Sequence, residues 1–203
     1  MALPININDL INGHTVEWDR IEFKEGWNPE SILHTICAFA NDINNWGGGY
    51  VIVGIEEKDG MPVLPPKGLD PAQVDKIQKE IIQITHHLDP LYSPVSEPVL
   101  YQGKHILIIW VPGGQTRPYK VSSTLSAKGS TKQYYIRRGS ATVGAKHADI
   151  KQLMELAATV PFDDRINHNA SLSDLDLGLI REFLQDIKSD LFEPAASMPF
   201  NEL

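Results

Sequence analysis

Asn28 to Ile55, NPESILHTICAFANDINNWGGGYVIVGI, holds a helix followed by a strand, and that order decides the fold. Asn28 before Pro29 is an N-cap with proline at the first helical position, and Ile32, Ile36, Phe39 and Ile43 recur at helical spacing towards Asn44-Asn45. Gly47, Gly48 and Gly49 break the period and are expected to form the helix C-cap and a tight turn. They lead into Tyr50-Val51-Ile52-Val53-Gly54-Ile55, a β-branched run that reads as a strand. A phosphate cradle of the P-loop or dinucleotide type runs from strand to helix, so that the helix N-terminus faces the anion. Here the order is reversed, which argues against nucleotide binding by these glycines.

Upstream, Arg20-Ile21-Glu22-Phe23-Lys24 alternates with period two, placing Ile21 and Phe23 on one face of a strand and Glu22 and Lys24 on the other. Downstream, a Pro- and Gly-rich connection ends at Asp70-Pro71, a second cap. Val74, Ile77, Ile81, Ile84 and Leu88 then form a second amphipathic stripe. Val99 to Tyr101 and His105 to Val111 flank a short turn and read as a hairpin; Gln133 to Arg137 alternates like an extra strand, and Ala148 to Leu156 like a closing helix. The expected fold is α+β: a β-α-β-α-β-β core with two helices on one face of a mixed sheet, plus that strand and helix.

At 203 residues the chain has room for one domain of ordinary size and a remainder. Residues 1–15 are read as an N-terminal arm, 16–160 as the domain, and 161–203 as a linker and an Asp176-capped helix leading to a further domain. The longest apolar run, Ile106 to Val111, is far too short for a bilayer, and Met1 to Leu10 lacks the pattern of a secretory signal. No membrane association and a cytoplasmic location are therefore expected. The single cysteine, Cys37, falls on the apolar helix face and reads as a packed thiol.

Charge is unevenly divided. Leu100 to Lys151 carries nine basic residues against Asp149 alone, a net +8 within a chain of net −8, which leaves −16 on the rest. Such a block is what a phosphate-facing surface requires, and it is also what a set of solvated loop lysines looks like.

Five separated motifs stand in order: I-E-F-K at 21–24, A-F-A-N-D at 38–42, G-G-G-Y-V-I-V-G-I-E at 47–56, P-Y-K at 118–120 and Y-I-R-R-G-S at 135–140. Together they resemble the Schlafen AlbA-2 domain family over Glu17 to Leu156. The resemblance implies an Alba-like core and DNA or RNA binding, with frequent placement at the N-terminus of longer bacterial transcriptional regulators. It also implies three carboxylates for RNA cleavage in the vertebrate members. The matching positions are Glu17, Glu22 and Glu56, where Glu56 replaces the usual aspartate. Such a trio would hold Mg²⁺ or Mn²⁺ to activate water for phosphodiester cleavage. Glu22-Phe23-Lys24 also has the E-x-K form of metal nucleases. The alternative leaves Glu22 and Lys24 on the solvated face of an edge strand, and Glu56 and Glu57 at the start of a loop.

For nucleic-acid contact the candidates are Lys24, Arg117, Lys120, Lys128, Lys132, Tyr135, Arg137 and Arg138, with hydroxyls from the loop Ser122 to Lys132. Strand geometry sends Arg137 and Arg138 to opposite faces, so only one of them shares a surface with Tyr135. Trp18, Trp27, Trp46 and Trp110 read as stacking platforms or as packing residues. The seven histidines lack metal spacing. Three classes follow: a DNA- or RNA-binding regulator module, a metal-dependent endoribonuclease, and a protein-interaction scaffold. A homodimer would double the basic surface.

Overall fold

The computed structural model describes residues 3, 5–12, 20–126, 130–159 and 176–197. The strand expected at Arg20 to Lys24 is β1 (Ile21–Lys24), and the helix after Asn28 is α2 (Pro29–Asn41), preceded in the chain by a short α1 (Ile7–Asn12). The Asn28 side chain accepts from the Ser31 N–H at 3.1 Å, which satisfies one of the free donors of the first turn. The strand β2 (Gly49–Val53), the helix α3 (Pro71–Thr85), and the hairpin β5 (Val95–Tyr101) with β6 (Lys104–Val111) complete the expected β-α-β-α-β-β core. Its sheet has the order β1-β2-β6-β5, with β1 parallel to β2 and the remaining pairs antiparallel, so the fold is α+β on a mixed sheet. The connection after β2 contains a small hairpin that local sequence did not announce, β3 (Glu57–Lys58) with β4 (Met61–Pro62).

Register explains how the sheet is covered. Val51 lies opposite Ile109, and Val53 opposite Leu107, on the face packed by Ile32, Leu33, Ile36 and Phe39 of α2 and by Ile77, Ile81 and Ile84 of α3. The opposite parity puts Tyr50, Ile52, Ile106 and Ile108 on the second face together with Ile21 and Phe23 of β1. That face is apolar too, and α1 covers it with the buried Leu10 and Ile11. Ile7–Asn12 thus serves as a cover: the second face would otherwise leave a continuous apolar surface in water.

The end of α2 differs from expectation. The helix stops at Asn41 and the left-handed residue is Asp42 (φ 41°), not a glycine. The Asp42 carboxylate makes this stop stable by accepting from the Trp46 and Gly47 N–H groups, each at 2.9 Å. The glycines instead permit close passage. A Cβ on Gly48 (φ 79°) would stand 2.0 Å from the Val111 carbonyl oxygen, and one on Gly49 would stand 2.4 Å from the Phe39 ring.

A second sheet, β7 (Lys120–Ser122), β8 (Lys132–Arg138) and β9 (Ala141–Gly144), is antiparallel in the order β7-β8-β9 and packs against α2. The closing helix α4 (His147–Thr159) covers part of it, joining Leu153 to Ile136 and Ile43. The chain divides into two units, 1–165 and 166–203. In the second, Asp176 caps α5 (Leu177–Asp186) by accepting from the Gly178 and Leu179 N–H groups, and a 3-10 turn follows at Pro194–Ala196. Leu184 of α5 is buried, whereas Leu179, Phe183 and Ile187 are exposed. Among the described residues no helix is long and apolar enough to cross a membrane.

Candidate nucleic-acid interface

The parity of β8 sorts the basic candidates. Its pairing opposite β7 matches Lys120 with Tyr134 and Ser122 with Lys132, so Lys120, Ser122, Lys132, Tyr134, Ile136 and Arg138 share one face. Gln133, Tyr135 and Arg137 share the other, which faces α2. Tyr135 is buried there, its ring stacked on His34 with centroids 4.1 Å apart, and burial raises its phenol pKa. Arg137 is 3% exposed. Both residues were expected at a binding surface and both lie inside, because β8 leans on α2 rather than standing free in solvent.

Arg137 is engaged from several directions. Its Nη1 donates to Glu22 Oε2 at 2.5 Å and to Thr142 Oγ1 at 3.0 Å, while its Nη2 donates to the Ile21 carbonyl at 3.2 Å. The guanidinium carbon lies 5.2 Å from the centroid of the Phe39 ring. Glu22 is therefore buried although β1 is an edge strand, since the second sheet reaches over that edge. The solvated-face alternative for Glu22 is overturned by this contact. Lys24, half-buried on the same face, holds the other carboxylate oxygen, with Nζ 2.6 Å from Oε1.

These contacts bear on the carboxylate trio. Each Glu22 oxygen already accepts from a cation, so a divalent ion would compete with Lys24 and Arg137 for it. Glu56 lies exposed beyond the end of β2, near Lys67, whose pKa is raised chiefly by its hydrogen bond to Glu25 and in smaller part by Glu56. Glu17 falls outside the described residues. Among the described residues no three His, Cys, Asp or Glu side chains gather as a metal site.

Arg117, another expected contact, caps α2. Its Nη1 donates to the Asn41 and Asp42 carbonyls at 3.4 and 3.1 Å, and its Nη2 to Asn45 Oδ1 at 2.9 Å. A cation at a helix C-terminus satisfies carbonyls that lack intrahelical partners. The neighbouring Asn41 is the buried residue that composition did not single out. Its Oδ1 accepts from the Tyr119 N–H at 2.6 Å, and its Nδ2 donates to the Tyr119 and Tyr135 carbonyls at 2.9 and 2.8 Å. The available signal was a polar residue one helical turn beyond Cys37 on an otherwise apolar stripe.

Three expected cations remain on the outside. Lys120 and Lys132 both approach Asp89 Oδ2, each at 3.4 Å, and Arg138 Nη2 lies 2.7 Å from Asp149 Oδ1. Their partners respond: the Asp89 carboxyl pKa is lowered by Lys132 and then Lys120, and that of Asp149 by the Lys146 N–H and then Arg138. Such exposed pairs are weak and screened, so phosphate can displace them, unlike the buried Arg137–Glu22 pair. Lys146 adds an exposed cation at the start of α4. Lys128 lies outside the described residues.

A mixed sheet under two helices, flanked by a small sheet with cations on its outer face, defines the class as an α+β domain. The profile of the Schlafen, AlbA_2 family matches residues 17–146, and the chain belongs to that family. This membership supports a nucleic-acid-related role. No curated protein matches the chain. Among solved structures it is similar to the DIP2311 protein from Corynebacterium diphtheriae, with 20% identity and a TM-score of 0.48 over 85% of this chain and 35% of that one. It is also similar to the N-terminal domain of a RecG-related protein from Nitrosomonas europaea, with 27% identity and a TM-score of 0.43 over 65% of this chain and 81% of that domain. The chain thus spans about a third of the length of the DIP2311 chain.

Proposed function

We propose that the domain binds nucleic acid, DNA in the first instance, as the recognition module of a transcriptional regulator, using the cations that α4 leaves uncovered on the outer face of β7-β8-β9, where Ile136 itself is buried against Leu153. The observation that supports this most is the division of β8, which withdraws Arg137 to the interior and leaves Lys132 and Arg138 on the face shared with Lys120. Lys146 and the hydroxyl of Ser122 border that face. Lysines and arginines arranged in this way contact phosphate, which supplies affinity and position without base readout.

Fluorescence anisotropy with labelled duplex DNA, single-stranded DNA and structured RNA tests the reading. If about four phosphates are neutralised, affinity falls about a hundredfold between roughly 50 and 200 mM salt. Lys132→Ala and Arg138→Ala each weaken binding to every sequence, and Lys79→Ala on α3 does not. Absence of binding at low salt discards the proposal. Parallel samples with Mn²⁺ or EDTA on a denaturing gel show whether strands stay intact, as a binding module requires.

A further inference from the structure

Asp89 stands where a ligand of the outer face would stand. It follows α3, and its backbone is fixed against β7 by two hydrogen bonds of 2.9 Å, from Asp89 N–H to the Lys120 carbonyl and from Lys120 N–H to the Asp89 carbonyl. This two-way bridge carries the side chain over the sheet, where one carboxylate oxygen lies 3.4 Å from both Nζ of Lys120 and Nζ of Lys132. The two lysines lie on one face of neighbouring strands, on residues offset by two positions in register. A single anionic oxygen held between two ammonium groups is also the arrangement of a non-bridging phosphate oxygen between two lysines.

We propose that Lys120 and Lys132 form a phosphate subsite for the nucleic-acid backbone and that Asp89 is its built-in competitor, occupying the subsite until phosphate displaces it. The inference rests on the binding function proposed above and adds a residue that weakens it. All three side chains are about half exposed, at 39, 43 and 49%. Water and salt therefore screen their contacts, and the carboxylate can swing away at small cost. While it remains, it halves the local charge that a backbone phosphate meets. In the free protein it also keeps two like charges together, so the pair stands ready for its ligand. Affinity is thereby set below what the two lysines alone would give, as suits a module that must release its site.

Asp89→Asn keeps the shape and the backbone bridge and removes the charge. Asp75→Asn makes the same change in net charge at an exposed ion pair, with Lys79, near the other end of α3. About ten helical residues, roughly 15 Å, separate Asp75 from the end of that helix, more than a Debye length of about 10 Å in ~0.1 M salt. Binding of the full chain to the labelled duplex is measured for both variants and for Lys120→Ala and Lys132→Ala. Asp89→Asn is expected to bind about threefold or more tighter than Asp75→Asn at ~0.1 M salt, and its salt dependence to steepen by about one phosphate contact. If Asp89→Asn and Asp75→Asn bind alike while the lysine variants bind weakly, the competitor role is overturned and the binding surface stands. If neither lysine variant differs from the parent chain, the subsite itself is lost.

Discussion

Glu22 and Arg137 are separated by 115 positions in the chain and by 2.5 Å in space, and both are buried. The pair joins the edge strand of the main sheet to the middle strand of the second sheet, past the ring of Phe39 in α2. A buried ion pair of this kind contributes little net stability against an apolar replacement, but breaking it is costly because one charge is left without its partner. Arg137→Ala is therefore expected to lower unfolding stability by about 3 kcal/mol, towards the small end of the range because Lys24 still holds Glu22. Urea denaturation of Arg137→Ala beside Lys132→Ala checks this. Equal midpoints for the two would mean that Arg137 is not the clamp described.

Asn41 ties α2 to the backbone just before β7 and within β8 through three hydrogen bonds. Asn41→Ala leaves a buried N–H and two buried carbonyls without that partner, and a loss of about 2 to 4 kcal/mol is expected. Amide exchange localises the effect: protection at Tyr119 and Tyr135 should fall before that of β2 and β6. A uniform loss of protection across both sheets would contradict it.

Cys37 is fully enclosed, and burial pushes its thiol up to about 12. The thiolate is the reactive form, so a disulfide reagent at neutral pH should leave Cys37 unmodified in the folded protein and react at once after denaturation. Rapid labelling of the native chain would show that α2 opens readily.

The Asp149 carboxyl is held below its ordinary range by the Lys146 N–H and by Arg138. A carboxyl depressed in the folded state stabilises the fold above its unfolded pKa of about 4 and loses that contribution as pH falls through the folded value. Stability of the parent chain should accordingly decline below about pH 4, and Asp149→Asn, already without the charge, should show a shallower decline. Thermal melts from pH 5 to 2 are the measurement, and parallel curves for the two proteins would remove Asp149 from the account.

Much of the core was legible in the chain alone. Asn28-Pro29 and Asp70-Pro71 mark where α2 and α3 begin, because capping is a local matter between a side chain and the next few N–H groups. Helical and strand periods likewise record which faces are apolar, and they yield the β-α-β-α-β-β order and the strand within β8. The family motifs fall on the structure as a set, and the family is the one that the residues resemble.

What local sequence could not decide was which face of β8 packs against α2. Period two places Arg137 and Arg138 on opposite sides, yet only the approach of α2 and β1 determines that Arg137 is inside and Arg138 outside. The cap of α2 by Arg117, the cover of the second sheet face by α1, and the meeting of Lys120 and Lys132 at Asp89 have the same origin. Caps and periods are written within a few consecutive residues and can be read there. Whether a charge is spent inside the protein or offered to a ligand depends on side chains brought together from distant positions, and only the folded chain sets those distances.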